Sequence, residues 1–431
     1  MRVAEPKDSR EAKRSFWERH EHKFYRYGHI YANIYGQVII DYLPQKPLRR
    51  PLKLLLIGYS HVFSLLLIVA LPCYFGYNYA ALMDTQDRRM QLLLYVSFAN
   101  TLIKYVTVIV TYVANTFHFS GINARCTLQR ARLEQQFAGY QLDNWPRRRF
   151  EVFMYLKFWL INFMMLIQVC SILAVAAPPA DSAAAQLSRR LRVHYAIYAF
   201  VLWNYTENMA DYFYYITASV LKYLQMLHLQ LQQLLPLLQQ LQRQRRGIAL
   251  LRSCCLSERV ELLRQHCEQI LALYGQSFRL HQTQLLGLML ATLINNLTNL
   301  FTIFSLLATQ TLADVSYPVL LSAAYALGFY LDTYVVTLIN EHIKQELSNL
   351  AQTLREFCNQ TAQHLPSLER ELEQFSLLLL KQRLPMLCGL LHLDRRLIYV
   401  ITVTAFSYFI TLVQFDLYLR NTPSHPPAVQ P

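Results

Sequence analysis

The sequence predicts an all-α polytopic membrane protein. It has seven transmembrane helices, an inside N-terminus and long cytoplasmic helical extensions of helices 4–7. Three observations carry that prediction. Seven apolar blocks recur along the 431 residues, at 54–77, 91–117, 152–177, 194–224, 285–308, 315–339 and 397–419. Charge avoids them: of 41 Lys/Arg and 27 Asp/Glu, only Lys104, Lys157, Glu207, Asp211, Lys222, Asp332 and Asp416 lie inside. The remaining basic residues are unevenly shared, 32 on the connections of one side and six on those of the other.

Each block reaches the roughly 20 residues that a helix needs to cross about 30 Å of hydrocarbon. Runs this long, without alternation, exclude spanning strands. Hydrophobic residues make up 54% and charged residues 16%, against about 25% charged in soluble domains. With only 11 Gly and 16 Pro, collagen-like and low-complexity classes are excluded as well.

Residues 1–53 carry 12 Lys/Arg and form the basic, cytoplasmic N-terminal segment under the positive-inside rule. Met1 to Arg19 has no apolar core of a signal peptide, so the first span is expected to direct insertion. Lys13, Arg14, Arg19, Lys23 and Arg26 alternate with Phe16, Trp17, Phe24, Tyr25 and Tyr27. That mixture suits an interfacial helix on anionic membrane lipids. The net charge of +14 is therefore read as a membrane signal, with no nucleic acid as partner. Residues 54–224 hold helices one to four, and 225–284 are a cytoplasmic helical extension serving as an anchor. Residues 285–339 hold helices five and six, 340–396 a second cytoplasmic anchor, 397–419 the seventh helix and 420–431 an extracellular tail. Seven helices also occur in G-protein-coupled receptors, but with the N-terminus outside. No Asp/Glu-Arg-Tyr follows the third span here, and the seventh lacks Asn-Pro-x-x-Tyr and a retinal-linking Lys.

The extensions are legible as helices. Residues 222–246, 258–284, 340–361 and 367–387 place Leu at helical spacing with Gln, Glu or Arg between. Such Leu faces need burial. A bundle near a symmetry axis would bury them, and so would a coiled-coil pair within one chain. Pro236 is expected to interrupt the fourth helix, and Pro72 to kink the first. Pro385 and Gly389 are expected to divide the seventh into a cytoplasmic and a membrane half. The adjacent Cys254-Cys255 reads either as a palmitoylation site or as two free thiols on a loop.

In the last span, Thr404, Ser407, Thr411, Gln414 and Tyr418 are spaced 3, 4, 3 and 4 apart, which places them on one helix face. A polar stripe in hydrocarbon needs a partner or water. It suits a lining for hydrated ions, with Phe415 beside it as a hydrophobic constriction. Spacing alone serves a polar helix–helix contact equally well.

The segment Ser407-Tyr408-Phe409-Ile410-Thr411-Leu412-Val413-Gln414-Phe415 resembles the C-terminal signature of insect gustatory receptors: Thr-Tyr, five mainly hydrophobic residues, then Gln-Phe. Ser407 keeps the hydroxyl of the family's Thr, and Thr411 departs from the hydrophobic run. Gly389 to Asp394 and Arg395-Arg396 resemble the family's lead-in. The motif match covers 389–415, and the plan match covers the chain, shared with the related insect odorant receptors. The resemblance implies a ligand-gated, non-selective cation channel of four subunits, homo- or hetero-tetrameric with related gustatory receptor subunits. It would sit in the plasma membrane of sensory-neuron dendrites. The last helix would line the pore and the cytoplasmic extensions would join subunits. Gln414 and Phe415 would form the constriction, and Ser407 and Tyr408 would position the helix.

A small organic tastant is expected in the outer halves of spans two to six. Tyr95, Gln168, Trp203, Glu207, Asn299, Tyr325 and Phe329 are the candidates, an aromatic set with a few polar groups. Aromatic density favours a bitter ligand. Tyr and Trp also concentrate at membrane interfaces and in helix packing. Of the costly intramembrane charges, Lys104 is expected to pair with Glu207, Asp211 or Asp332. Alternatively, Glu207 or Asp211 faces the ligand.

Two other classes compete. An enzyme would need a constellation such as His-Glu-x-x-His or Gly-x-Ser-x-Gly, and neither occurs; no metal or cofactor is called for. A transporter or a non-conducting chemoreceptor subunit would share the spans, but no internal repeat is evident.

Overall fold

A computed structural model describes residues 30–31, 33–36, 50–83, 88–118, 120–137, 159, 162–167, 183–242, 246–308, 312–360, 366–382 and 385–421. It is nearly all helical. The helices are α1 (Arg50–Met83), α2 (Arg88–Val113), α3 (Ser120–Gln136), α4 (Ala183–Gln242), α5 (Arg246–Leu307), α6 (Leu312–Gln360), α7 (Pro366–Lys381) and α8 (Arg395–Asn421). A π-helical joint, Ala114–His118, links α2 to α3. Among the described residues, four helices are long and apolar enough to cross a membrane, over Arg50–Cys73, Leu251–Leu307, Val319–Gln360 and Arg395–Tyr418, and a shorter apolar stretch covers Phe98–Val113. The fourth apolar block lies in α4, where Glu207 is buried and Asp211 and Lys222 are half-buried. Most of the third block lies outside the described residues.

Length separates these helices from simple spans. At about 1.5 Å per residue, α4 (60 residues) and α5 (62 residues) each run roughly 90 Å, three times the hydrocarbon thickness. The surplus forms a bundle within the single chain. Leu227, Leu231, Leu234 and Leu238 of α4 meet Val260, Leu263, Cys267 and Ile270 of α5 in one core. Ile343, Leu350, Leu354 and Phe357 of α6 and Leu368, Leu372 and Phe375 of α7 complete it. Each such side chain contributes about 1.5–3 kcal/mol when buried. Much of the Leu surface is thus buried inside one chain, while Leu237, Leu262, Leu377 and Leu380 stay exposed.

Polar contacts fix the register of this bundle. His228 Nδ1 lies 2.6 Å from Glu346 Oε1 and its Nε2 lies 2.9 Å from Thr353 Oγ1, joining α4 to α6. The Tyr274 hydroxyl donates to Asn340 Oδ1 at 2.7 Å, and Arg264 meets Glu371 at 3.3 Å.

Several sequence expectations need correction. Pro236 lies inside α4, which continues to Gln242, because buried Leu234 and Leu238 on either side hold the helix together. Between the apolar blocks ending at 117 and starting at 152, where no helix is expected, α3 occupies Ser120–Gln136. Its buried face is Cys126, Arg130, Leu133 and Phe137, at spacings of 4, 3 and 4, and Arg130 stacks over Tyr215 at 4.6 Å. Burial pushes the Cys126 thiol up to about 11, so it packs as a small hydrophobe. Cys254 and Cys255 are exposed on α5, not on a loop. The helix expected over 367–387 ends at Lys381.

Between α7 and α8 stands a small hairpin instead. β1 (Met386–Leu387) pairs antiparallel with β2 (Leu391–His392), Met386 opposite His392 and Leu387 opposite Leu391. Cys388 and Gly389 have φ of 49° and 73°, the positive pair that a type I′ turn requires. Asp394 then caps α8: its Oδ1 accepts from the Arg396 amide at 3.0 Å. Asp394→Ala is expected to cost about 1 kcal/mol and lower the thermal midpoint of the purified protein. Asp394→Asn, which still caps, is expected to match the wild type.

The N-terminal segment is also more than interfacial. Residues 1–29 lie outside the described residues, but the Tyr31 hydroxyl sits 2.6 Å from Asn204 Oδ1 on α4 and also meets Asn162. The Tyr59 hydroxyl donates to the Ile34 carbonyl at 2.6 Å. Tyr31 and Ile34 therefore contact α4 and α1.

Candidate ligand site and pore helix

The helices cross where small side chains permit it. A Cβ on Gly287 of α5 would stand 2.1 Å from Thr107 Oγ1 of α2, so this contact exists only with glycine. Nearby, hydroxyls of α2 and α4 find carbonyls or a hydroxyl on α1, as hydrocarbon demands. The Tyr198 and Tyr105 hydroxyls donate to the Leu67 and Ile68 carbonyls at 2.8 and 2.7 Å, and Ser64 meets the Tyr205 hydroxyl at 3.3 Å.

Within this frame, α2, α4 and α6 bring four expected pocket residues together. Trp203 is 1% exposed and stands edge-to-face with Phe329, ring centroids 4.8 Å apart. Tyr325 stacks on Phe329 at 6.4 Å and donates to the Met164 carbonyl. The Lys104 ammonium lies 3.7 Å from the Trp203 ring centroid, and Glu207, 3% exposed, is the charge that acts on it. One turn earlier on α2, Asn100 donates to Asn295 of α5. Asn208 and Asn296 are buried, and Thr333 lies 3.4 Å from Thr292. The same helices thus carry a buried aromatic cluster and buried amides and hydroxyls. Side chains of this mix suit an amphipathic small molecule, held by ring contact and oriented by a few hydrogen bonds.

Other candidates fall elsewhere. Tyr95 is 50% exposed on α2 and stands apart from the cluster, because its helix turns that face outward. Asn299 is half-buried on α5, one turn beyond Asn295. Gln168 lies outside the described residues. Asp211 is half-buried and acts on Tyr31, while Asp332 is buried on α6 one turn below Phe329. Among the described residues, no group of three or more His, Cys, Asp or Glu could hold a metal ion. Sequence reasoning missed Asn100, Asn208 and Met164 as neighbours of the cluster. Asn100 and Asn208 carried a usable signal, since amides are rare within apolar spans.

The last helix presents three faces. Leu397, Ile398, Ile401, Ala405 and Asp416 are buried against the chain's own body, and Phe409 meets Phe304 edge-on at 6.2 Å. A second face carries Val403, Phe406, Ile410 and Leu417, all exposed. The third carries the expected stripe. Ser407, Thr411, Gln414 and Tyr418 are exposed and Thr404 is half-buried. Thr411 Oγ1 donates to the Ser407 carbonyl at 3.1 Å. At about 100° per residue, the stripe is centred roughly 130° from the buried face. Phe415, 50% exposed, and Tyr408, 58% exposed, lie between the two. Asp416, although adjacent in sequence, points into the chain.

Comparisons with known proteins agree with this architecture. The family model described as 7tm Chemosensory receptor matches residues 25–419. Gustatory receptor 10a of Drosophila melanogaster is 60% identical over 414 residues, covering 96% of this chain and 99% of that protein. The insect olfactory receptor OR5 from Machilis hrabei shares the fold, with a TM-score of 0.59 at 13% identity, over 92% of this chain and 99% of that one. Its complex with eugenol superposes with a TM-score of 0.52 at 14% identity over the same shares. The chain is a multi-pass membrane protein of the 7tm chemosensory receptor family, and within it belongs to the insect gustatory receptors.

Proposed function

We propose that this chemosensory receptor is a subunit of a ligand-gated, non-selective cation channel, opened by a small organic tastant of the bitter class. One observation carries the reading. The hydroxyl-and-amide face of α8 is not covered by the chain itself, although the helix is apolar enough to cross a membrane. Lipid cannot satisfy such a face, so water or a second subunit must. In a tetramer of four like or related subunits, the four stripes surround one aqueous axis. Gln414 and Phe415 form its constriction, and Ser407 and Tyr408 fix the helix below. The apolar face of Val403, Phe406 and Ile410 turns to lipid or to the neighbouring subunit. The amino end and the bundle of α4–α7 lie in the cytosol, following the 32 to six distribution of basic residues. The tail beyond 420 is extracellular, and the membrane is the plasma membrane of a sensory neuron's dendrite.

The ligand binds at Trp203, Tyr325 and Phe329. That OR5 is known in complex with eugenol supports a small organic molecule as the ligand. Binding favours a state in which the α8 helices lean apart, and it can do so only through tighter binding to that state. Purified protein in planar bilayers tests the reading. A chemically broad panel of small organic molecules that includes eugenol is expected to evoke unitary cation currents. Cysteines placed at Thr411 or Gln414 are expected to let a water-soluble thiol reagent block those currents. Retained ligand binding without current would favour a transporter or a non-conducting chemoreceptor subunit.

A further inference from the structure

An ammonium group resting on an indole face beside a carboxylate is the arrangement by which proteins hold organic cations. Here that seat is formed by Trp203 and Glu207, and the chain's own Lys104 occupies it at 3.7 Å from the ring centroid. This is contact distance, which leaves no room for a second cation on that face. The edge of Phe329 meets Trp203 at 71°. The remaining elements add no basic group. The 285–307 stretch of α5, the described turn at 162–167 and the 54–83 stretch of α1 carry no charged residue. The acids are Glu207 and Asp211 on α4 and Asp332 on α6, and Asp211 acts on Tyr31.

We propose that Lys104 sets the charge class of the ligand: its ammonium fills the cation seat of Trp203 and Glu207, so the site takes neutral small molecules and rejects organic ammonium ions. The inference rests on reading the cluster as the ligand site. A second positive charge would meet Lys104 in a buried, low-dielectric setting, where repulsion is far stronger than in water. The Lys104 ammonium is a hydrogen-bond donor with no acceptor capacity, so an oxygen acceptor on a neutral ligand is favoured. Removing Lys104 uncovers a carboxylate next to an aromatic face, and the preference then reverses.

The test uses full-length protein in lipid nanodiscs and two probes of one shape, benzyltrimethylammonium and its uncharged carbon analogue neopentylbenzene. Affinities are read from thermal-unfolding shifts over a concentration series. In the wild type, neopentylbenzene is expected to bind at least about tenfold more tightly, a difference of about 1.4 kcal/mol. In Lys104→Met the order is expected to invert. The double variant Lys104→Met, Glu207→Gln leaves no uncompensated carboxylate. It keeps the proposal testable if the single variant does not fold, and its discrimination is expected to fall about tenfold below the wild type. Discrimination unchanged in either variant, with Trp203→Ala weakening neopentylbenzene, would overturn the role of Lys104 and leave the ligand site standing. Failure of neopentylbenzene to bind the wild type would sink both.

Discussion

Replacing Phe415 with Ala is expected to raise the basal conductance of the channel by about tenfold or more in the absence of ligand. That factor needs a shift of only about 1.4 kcal/mol in the closed–open equilibrium. Phe415 is half exposed, beside the stripe of Ser407, Thr411 and Gln414. In a four-subunit pore, four rings converge on one level and make the axis too apolar to wet, and four methyl groups do not. Phe406 provides the control. It lies nine residues earlier, about 180° around the helix, and is equally exposed. Phe406→Ala is expected to leave the unliganded current at the wild-type level. Both variants are compared by whole-cell recording at matched surface abundance. A silent, non-leaky Phe415→Ala protein at the surface would remove Phe415 from the gate and leave the polar stripe to be tested by thiol block.

Gly287→Val is expected to prevent accumulation of folded protein, the largest stability effect foreseen in this chain. Even an alanine Cβ at this position would stand 2.1, 2.7 and 2.9 Å from three atoms of the Thr107 side chain. Thr107 cannot swing away at no cost, because its hydroxyl already donates to the Ile103 carbonyl at 2.7 Å. A valine therefore has to push α2 from α5. Contacts that follow the same antiparallel register would go with it, above all Asn100 to Asn295. Overpacking of this kind costs about 1–3 kcal/mol in soluble cores, and a freed amide in hydrocarbon adds to that. Size-exclusion profiles of detergent extracts measure the outcome. A monodisperse Gly287→Val protein would mean that the crossing is looser than drawn. Thr107→Ala together with Gly287→Ala should recover part of the loss.

The seven apolar blocks and the long Leu-bearing helices were legible because each depends on local composition. A 20-residue apolar run has one low-energy solution in lipid, and Leu at helical spacing declares a buried face. The 3, 4, 3, 4 spacing of Thr404 to Tyr418 was legible for the same reason. Helix α3 escaped because its buried face includes a charged residue, Arg130, stacked on Tyr215. The β-hairpin escaped because two-residue strands carry no period, and only Cys388-Gly389 marks the turn. Pro236 misled because a proline's local cost was set against nothing, whereas packing on Leu234 and Leu238 outweighs it.

The candidate site was half legible. Trp203, Glu207, Tyr325 and Phe329 were named from their place in the outer spans, and they converge. Tyr95 was named on the same grounds and faces outward. In a membrane, a lipid-facing side chain and a core side chain are equally apolar, so composition cannot tell one face from the other. The partner of Lys104 was likewise open among three acids, and an aromatic ring was not considered.

By itself, then, the order of residues determined that this chain crosses a membrane several times, where its helices run on beyond the apolar blocks, and that one face of its last helix is polar. Those are properties of single helices, set by energies of transfer from water into hydrocarbon that each segment carries alone. Only the tertiary structure decided which leucines of the extensions are buried within one chain, that Lys104 sits on Trp203, and that the polar stripe is turned away from the chain's own body. Each of these depends on which face meets which neighbour, and that is a matter of interhelical geometry, fixed by close approaches such as Gly287 against Thr107.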